Sequence, residues 1–207
     1  MSEDVWLSVT RAITLLKLTK GRTTDRKLRL FACGRLYTMR HLIVGDATTL
    51  LDAVEAAATA DELRRIRRNC PEMYWIASDR RLRGRLHHVD SYPCGLAATV
   101  TDANARNAAR RSLGYGYEWA HQQEAMLARE VFGNPFRPID FAPWHTDTTV
   151  ALAKGMYESR DFSAMPILAD ALQDAGCDNA DVLIHCRDAS AEHVRGCWVV
   201  DGVLGLA

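Results

Sequence analysis

Apolar residues recur along most of the chain at steps of three and four, the spacing that lines one face of a helix. The clearest run follows Asp25: Leu28, Phe31, Ala32, Leu36, Met39 and Ile43 form one stripe, and Cys33 beside it reads as a small buried hydrophobe. Thr23, Thr24 and Asp25 offer a cap and a first-turn acid, and Gly45 an end. Residues 4–19 read as a single helix, being long and free of strict alternation, and Lys20-Gly21 closes it. Further helices are expected over 47–60 behind Asp46, over 62–69 behind Asp61, and around 72–83 behind Pro71. Residues 85–92 read as a loop. Alanine-rich helices follow over 96–113 and 117–132, with faces that allow close packing.

The run Gly133-Asn134-Pro135-Phe136-Arg137-Pro138 stops helical structure, because two prolines and a glycine force an extended or turning path. It is the natural hinge between a basic body, 1–132, and an acidic segment, 139–207, and Phe136 is expected to enter the core. Beyond it, a helix runs from Thr146 to Tyr157. The next is capped by Asp161 or Ser163, carries Pro166 in its first turn and ends at Gly176. Another spans Asp178 or Asn179 to Arg187. A final helix from Ala191 carries His193 and Cys197 and ends near Gly205. The expected fold is all-α: a compact domain of about eight to ten helices, which the 133–138 segment can divide into two lobes.

The chain has 207 residues, of which 48% are hydrophobic and 25% charged, a balance suited to one good-sized core. No apolar run approaches a membrane span, so no membrane partner is expected. Six cysteines are too sparse for a disulfide scaffold, and MSEDVWLSV carries acids where a secretory signal needs bases. The expected compartment is the cytoplasm, with thiols free or metal-bound. The net charge of zero conceals a split: from Asp140 onward eleven acids face four bases, −7, leaving +7 for the remainder.

The unusual chemistry concentrates between 177 and 197. His193 and Cys197 lie four apart and would share a helix face. His185 and Cys186 come from the helix before, and Cys177 from the preceding turn. Thiolate and imidazole together suit zinc, which makes His185, Cys186, His193 and Cys197 the candidate ligands. Adjacent His185 and Cys186 point about 100° apart on a helix, so only one of them can ligate. The competing reading is packing, with thiols filling the core and imidazoles bonded to carbonyls or acids, and the spacing favours it because it matches no known finger. Cys186 or Cys197 beside a histidine would also form a thiolate–imidazolium pair for catalysis.

Arg187 and Arg195, with Trp198, are candidate binding residues for a carboxylate or phosphate, against a reading as forks that satisfy carbonyls and carboxylates within the fold. A basic belt runs through Arg64, Arg65, Arg67 and Arg68, through Arg80, Arg81, Arg83 and Arg85, and on to Arg106, Arg110 and Arg111. Tyr74 and Trp75 between its first two groups would suit base stacking, but no helix-turn-helix, RNA-recognition or zinc-knuckle signature accompanies the belt, and a solvated helix face is the favoured reading. His87, His88 and Asp90, and His145 with Asp147, are short clusters that chance placement in polar loops explains.

Three blocks, TTDRKLRLFAC (23–33), VFGNPFRPI (131–139) and PILADALQDAGC…ADVLIHCR…HVRGCWVVD (166–201), resemble an uncharacterised bacterial family. That family often clusters cysteines after LRLFAC, where this chain has Gly34 and Arg35. The resemblance implies an intact domain and brings no activity with it. With no catalytic constellation complete, the leading expectation is a non-enzymatic interaction or adaptor module with an unidentified protein partner. The rivals are a zinc- or thiol-dependent enzyme centred on Cys186, His193 and Cys197, and binding of single-stranded nucleic acid by the basic belt.

Overall fold

The computed structural model describes residues 2–37, 47–57, 59–69, 100–113 and 118–206. Among them every regular element is helical, so the fold is all-α. The eleven α-helices are α1 (Glu3–Ser8), α2 (Ala12–Leu18), α3 (Asp25–Tyr37), α4 (Ala47–Ala56), α5 (Ala60–Asn69), α6 (Ala105–Ser112), α7 (Glu118–Phe132), α8 (Asp147–Ser159), α9 (Met165–Asp174), α10 (Ala180–Arg187) and α11 (Trp198–Val203), with a 3₁₀ turn at Ala142–Trp144. No described helix is long and apolar enough to cross a membrane. Met39, Ile43, the 72–83 helix and the 85–92 loop lie outside the described residues. So do Tyr74, Trp75, the second arginine group of the belt, and His87, His88 and Asp90.

Several boundaries differ from expectation for local reasons. The 4–19 stretch is two helices: Ser8, Val9 and Thr10 are weak helix formers, and Arg11 takes extended backbone (φ −101°, ψ 113°). Thr59, not Asp61, opens α5. Its hydroxyl accepts the Glu62 N–H at 3.2 Å while the Glu62 carboxylate accepts the Thr59 N–H at 2.9 Å. The expected 96–113 helix is interrupted: Val100 is helical, 101–104 are not, and α6 begins at Ala105 behind Asn104, whose side chain accepts the Asn107 N–H. Ala164 precedes α9 without a side-chain cap, and Asp161 instead accepts the Ser163 N–H at 2.9 Å.

The chain forms two compact units. One comprises Ser8–Leu127; the other joins Met1–Leu7 to Ala128–Ala207. The second unit contains fourteen acids and six bases, a net of −8, which leaves +8 for the first in a chain whose total is zero. In the basic unit, α3 is buried from Lys27 to Leu36, and Cys33 and Leu36 on it pack with Leu51, Val54, Leu63 and Ala108. Two of its buried arginines are matched: Arg29 donates to the carbonyls of Val100 and Asp102 at 2.7 and 2.9 Å, and Arg35 pairs with Glu124 at 3.0 Å.

In the acidic unit, α8 to α11 enclose Phe141, Met156, Leu168, Leu172, Val182 and Val200. The N-terminal residues are tied in by Arg129, which donates to the carbonyls of Trp6 and Leu7, and by Glu3, which accepts from Asn134 and pairs with Arg137. The 133–138 segment lies inside this unit. Phe136 is only half-buried. Phe141 takes the core position, edge-on to Trp144 and Trp198. A Cβ on Gly202 would stand 2.4 Å from the Phe141 ring. Gly202→Ala is therefore expected to cost about 1–3 kcal/mol of stability through overpacking, seen as a lower urea midpoint with an unchanged slope.

Candidate metal centre

Glu130, near the C-terminal end of α7, occupies the side of the helix that also presents Leu127 and Val131, and is 6% exposed. Its carboxylate meets two histidines from later in the chain. His193 Nδ1 lies 3.2 Å from Oε1, and His185 Nε2 lies 3.2 Å from Oε2. The same His185 nitrogen is 3.3 Å from the Cys197 sulfur, and the Val194 N–H also donates to Glu130 at 3.3 Å. One donor atom from each of Glu130, His185, His193 and Cys197 falls within 4.8 Å of the other three. Four donors around one zinc at ordinary bond lengths stand roughly 3.3–3.8 Å apart, so the group is close to a tetrahedral cage.

Local structure delivers one donor as the sequence predicts and the others differently. His185 does come from α10, which Asn179 starts by accepting the Val182 N–H. His193 and Cys197 do not share a helix face. Residues 191–197 are not helical; Gly196 turns the chain at φ +98°, and α11 starts only after Cys197. They converge because the turn folds back, not through an i, i+4 repeat. Cys186 is outside the group. Its neighbour on the helix, His185, joins the group instead, and Cys186 itself is buried in the core with Val182 and Leu168. Cys177 likewise packs in that core. Glu130 takes the fourth place, well upstream of the segment that concentrates the cysteines and histidines. Its signal in the sequence was an acid between the apolar Leu127 and Val131.

The other candidates are used within the unit. Arg187 pairs with Asp170 at 2.7 Å and donates to Gln173. Arg195 donates to the carbonyls of Tyr157 and Glu158 at the end of α8 and lies over the Tyr157 ring. Trp198 is wedged between His185, 5.1 Å away centre to centre, and Gly133, where a Cβ would stand 3.0 Å from the indole. Gly133 is left-handed as well, at φ +60°. His145 and Asp147 are both exposed.

The electrostatics oppose nucleophilic thiol chemistry. Burial pushes the Cys197 thiol well above its ordinary value, with Glu130 adding to the shift and the Val199 and Val200 amides opposing it. Burial, and then Glu130, push Cys186 up to about 12. A thiol nucleophile needs the reverse shift and access to substrate, whereas both sulfurs are buried. Coordination to a cation removes the first obstacle, since a metal-bound thiol is deprotonated outright. The arrangement is thus a buried Glu/His/His/Cys group able to hold a metal ion. Comparison of the chain with protein-family models, curated proteins and solved structures finds no match.

Burial also holds His185 below its ordinary value of 6.5, with Glu130 opposing and His193 reinforcing the shift. A group whose folded pKa lies below its unfolded one stabilises the fold fully above the unfolded value, and that stability is lost as pH falls through the folded one. The metal-free protein is accordingly expected to lose stability as pH drops below 6.5. Urea midpoints across that range check it, with His185→Gln giving a flatter profile.

Proposed function

We propose that the chain is a non-enzymatic, cytoplasmic interaction module whose acidic unit is braced by one zinc ion held by Glu130, His185, His193 and Cys197. The observation that carries this reading is the convergence of those four donors from α7, α10 and the turn before α11. One sulfur, two imidazole nitrogens and one carboxylate oxygen suit zinc over harder cations, which prefer all-oxygen shells. Four protein donors complete a tetrahedral shell, the pattern of a structural site, whereas a catalytic zinc keeps a position open for water or substrate. The exposure of the donors agrees: the His193 and Glu130 side chains are each 6% exposed and His185 17%. Such an ion stabilises by mass action, about 4 kcal/mol at a thousandfold excess over its dissociation constant.

Purified protein is expected to carry one zinc per chain, measured by atomic emission. His193→Ala and Cys197→Ala should lose it, and Cys186→Ala and Cys177→Ala should retain it. Wild-type protein that stays zinc-free at saturating metal would contradict the reading. A second reading, nucleic-acid binding by the basic unit, draws on its net +8 and on the exposed Arg64, Arg65 and Arg68 of α5 and Arg110 and Arg111 of α6. It predicts retention on single-stranded oligonucleotide at low salt, lost steeply as salt rises. No retention at low salt removes it.

A further inference from the structure

We propose that the groove along the outer face of α8 receives a cationic amphipathic helix from a partner protein. The groove has a volume of about 650 Å³ and an apolar floor made by Ala151, Leu152, Gly155, Met156 and Ala164. Gly155 stands in the middle of α8, is exposed, and has open space where a Cβ would be. A helix-interior glycine costs about 0.5–1 kcal/mol relative to alanine, and nothing within the fold requires that vacancy. A second helix laid against this face does require it, because its backbone can come close only where side chains are small.

Charge defines the occupant. Asp147 and Asp161 flank the floor at its two ends, both exposed. Asp161 is kept ionised by hydrogen bonds from the Ser163 backbone and hydroxyl. The unit around them carries a net −8, so lysine or arginine at the edges of the incoming helix is complementary. Length defines its class: the thirteen residues of α8 extend about 20 Å, the span of three to four helical turns. A small-molecule site would be enclosed, with polar groups converging on one point, and this floor is open and apolar. The surface deepens the interaction reading given above and does not depend on the metal.

The test uses the full chain purified in the presence of zinc, with its zinc content measured, and two synthetic helical peptides of about fifteen residues. One has an alanine/leucine stripe flanked by lysines, and the other carries glutamate in place of each lysine. The lysine peptide is expected to bind and the glutamate peptide not to. Gly155→Leu and Ala151→Trp fill the groove and should weaken binding by about tenfold or more. Asp147→Lys with Asp161→Lys should weaken it comparably, and amide shifts on binding should concentrate in residues 147–164. Gly155→Leu replaces a poor helix former with a good one in open space, so it should keep or raise the melting temperature. No binding of the lysine peptide, or binding undiminished by the filled groove, overturns the proposal. Self-association that the same two substitutions abolish overturns it too, by making a second copy the occupant. Zinc measured in the same samples separates the readings. Full zinc without peptide binding sinks the groove alone, and binding without zinc sinks the metal brace alone.

Discussion

A carboxylate withdrawn from water is the constraint on which the acidic unit depends. An isolated buried charge costs several kcal/mol, so Glu130 is tolerable only with donors or cations around it. His193, His185 and the Val194 amide supply them. The partner histidines lie more than fifty residues further along the chain, so satisfying this one group ties the end of α7 to α10 and to the turn before α11. The same atoms that satisfy one another through protons are those a divalent ion requires. A metal ion bound there would compete with protons for one set of donors.

The surrounding structure holds those donors in place. Trp198 packs against His185 and against the left-handed Gly133, so the glycine of the 133–138 run serves close packing inside the unit. Arg195 fastens the non-helical stretch before Cys197 to the last carbonyls of α8, where a cation also complements the helix dipole. Phe141 fills the space that Gly202 leaves. Arg195 and Trp198 thus brace the stretch before Cys197 and the His185 ring, while Arg187 is engaged by Asp170 and Gln173.

Much of the fold was legible because helix periodicity and caps are local. The helix after Asp25, the Gly176 end and the Asn179 start all act as their chemistry predicts, although α3 is buried on every side and not along one stripe. The errors fell at breaks that residue spacing does not mark. Residues 4–19 carry apolar positions at mixed spacing and divide at Arg11 behind the weak helix formers Ser8 to Thr10. Residues 191–197 carry a four-residue His/Cys spacing yet form a turn around Gly196. The cluster was legible in part: His185, His193 and Cys197 stood out by composition, while Cys186 was drawn in by adjacency and belongs to the core. Glu130 was missed because glutamates are common on helices. Only its apolar neighbours, Leu127 and Val131, hinted that it faces inward.

The most direct test of the central claim is the X-ray absorption spectrum of zinc bound to the full chain. The account predicts one sulfur at about 2.3 Å and three nitrogen or oxygen donors at about 2.0–2.2 Å, with the sulfur contribution gone in Cys197→Ser. A wild-type spectrum without sulfur, or one with two or more sulfurs, would contradict it.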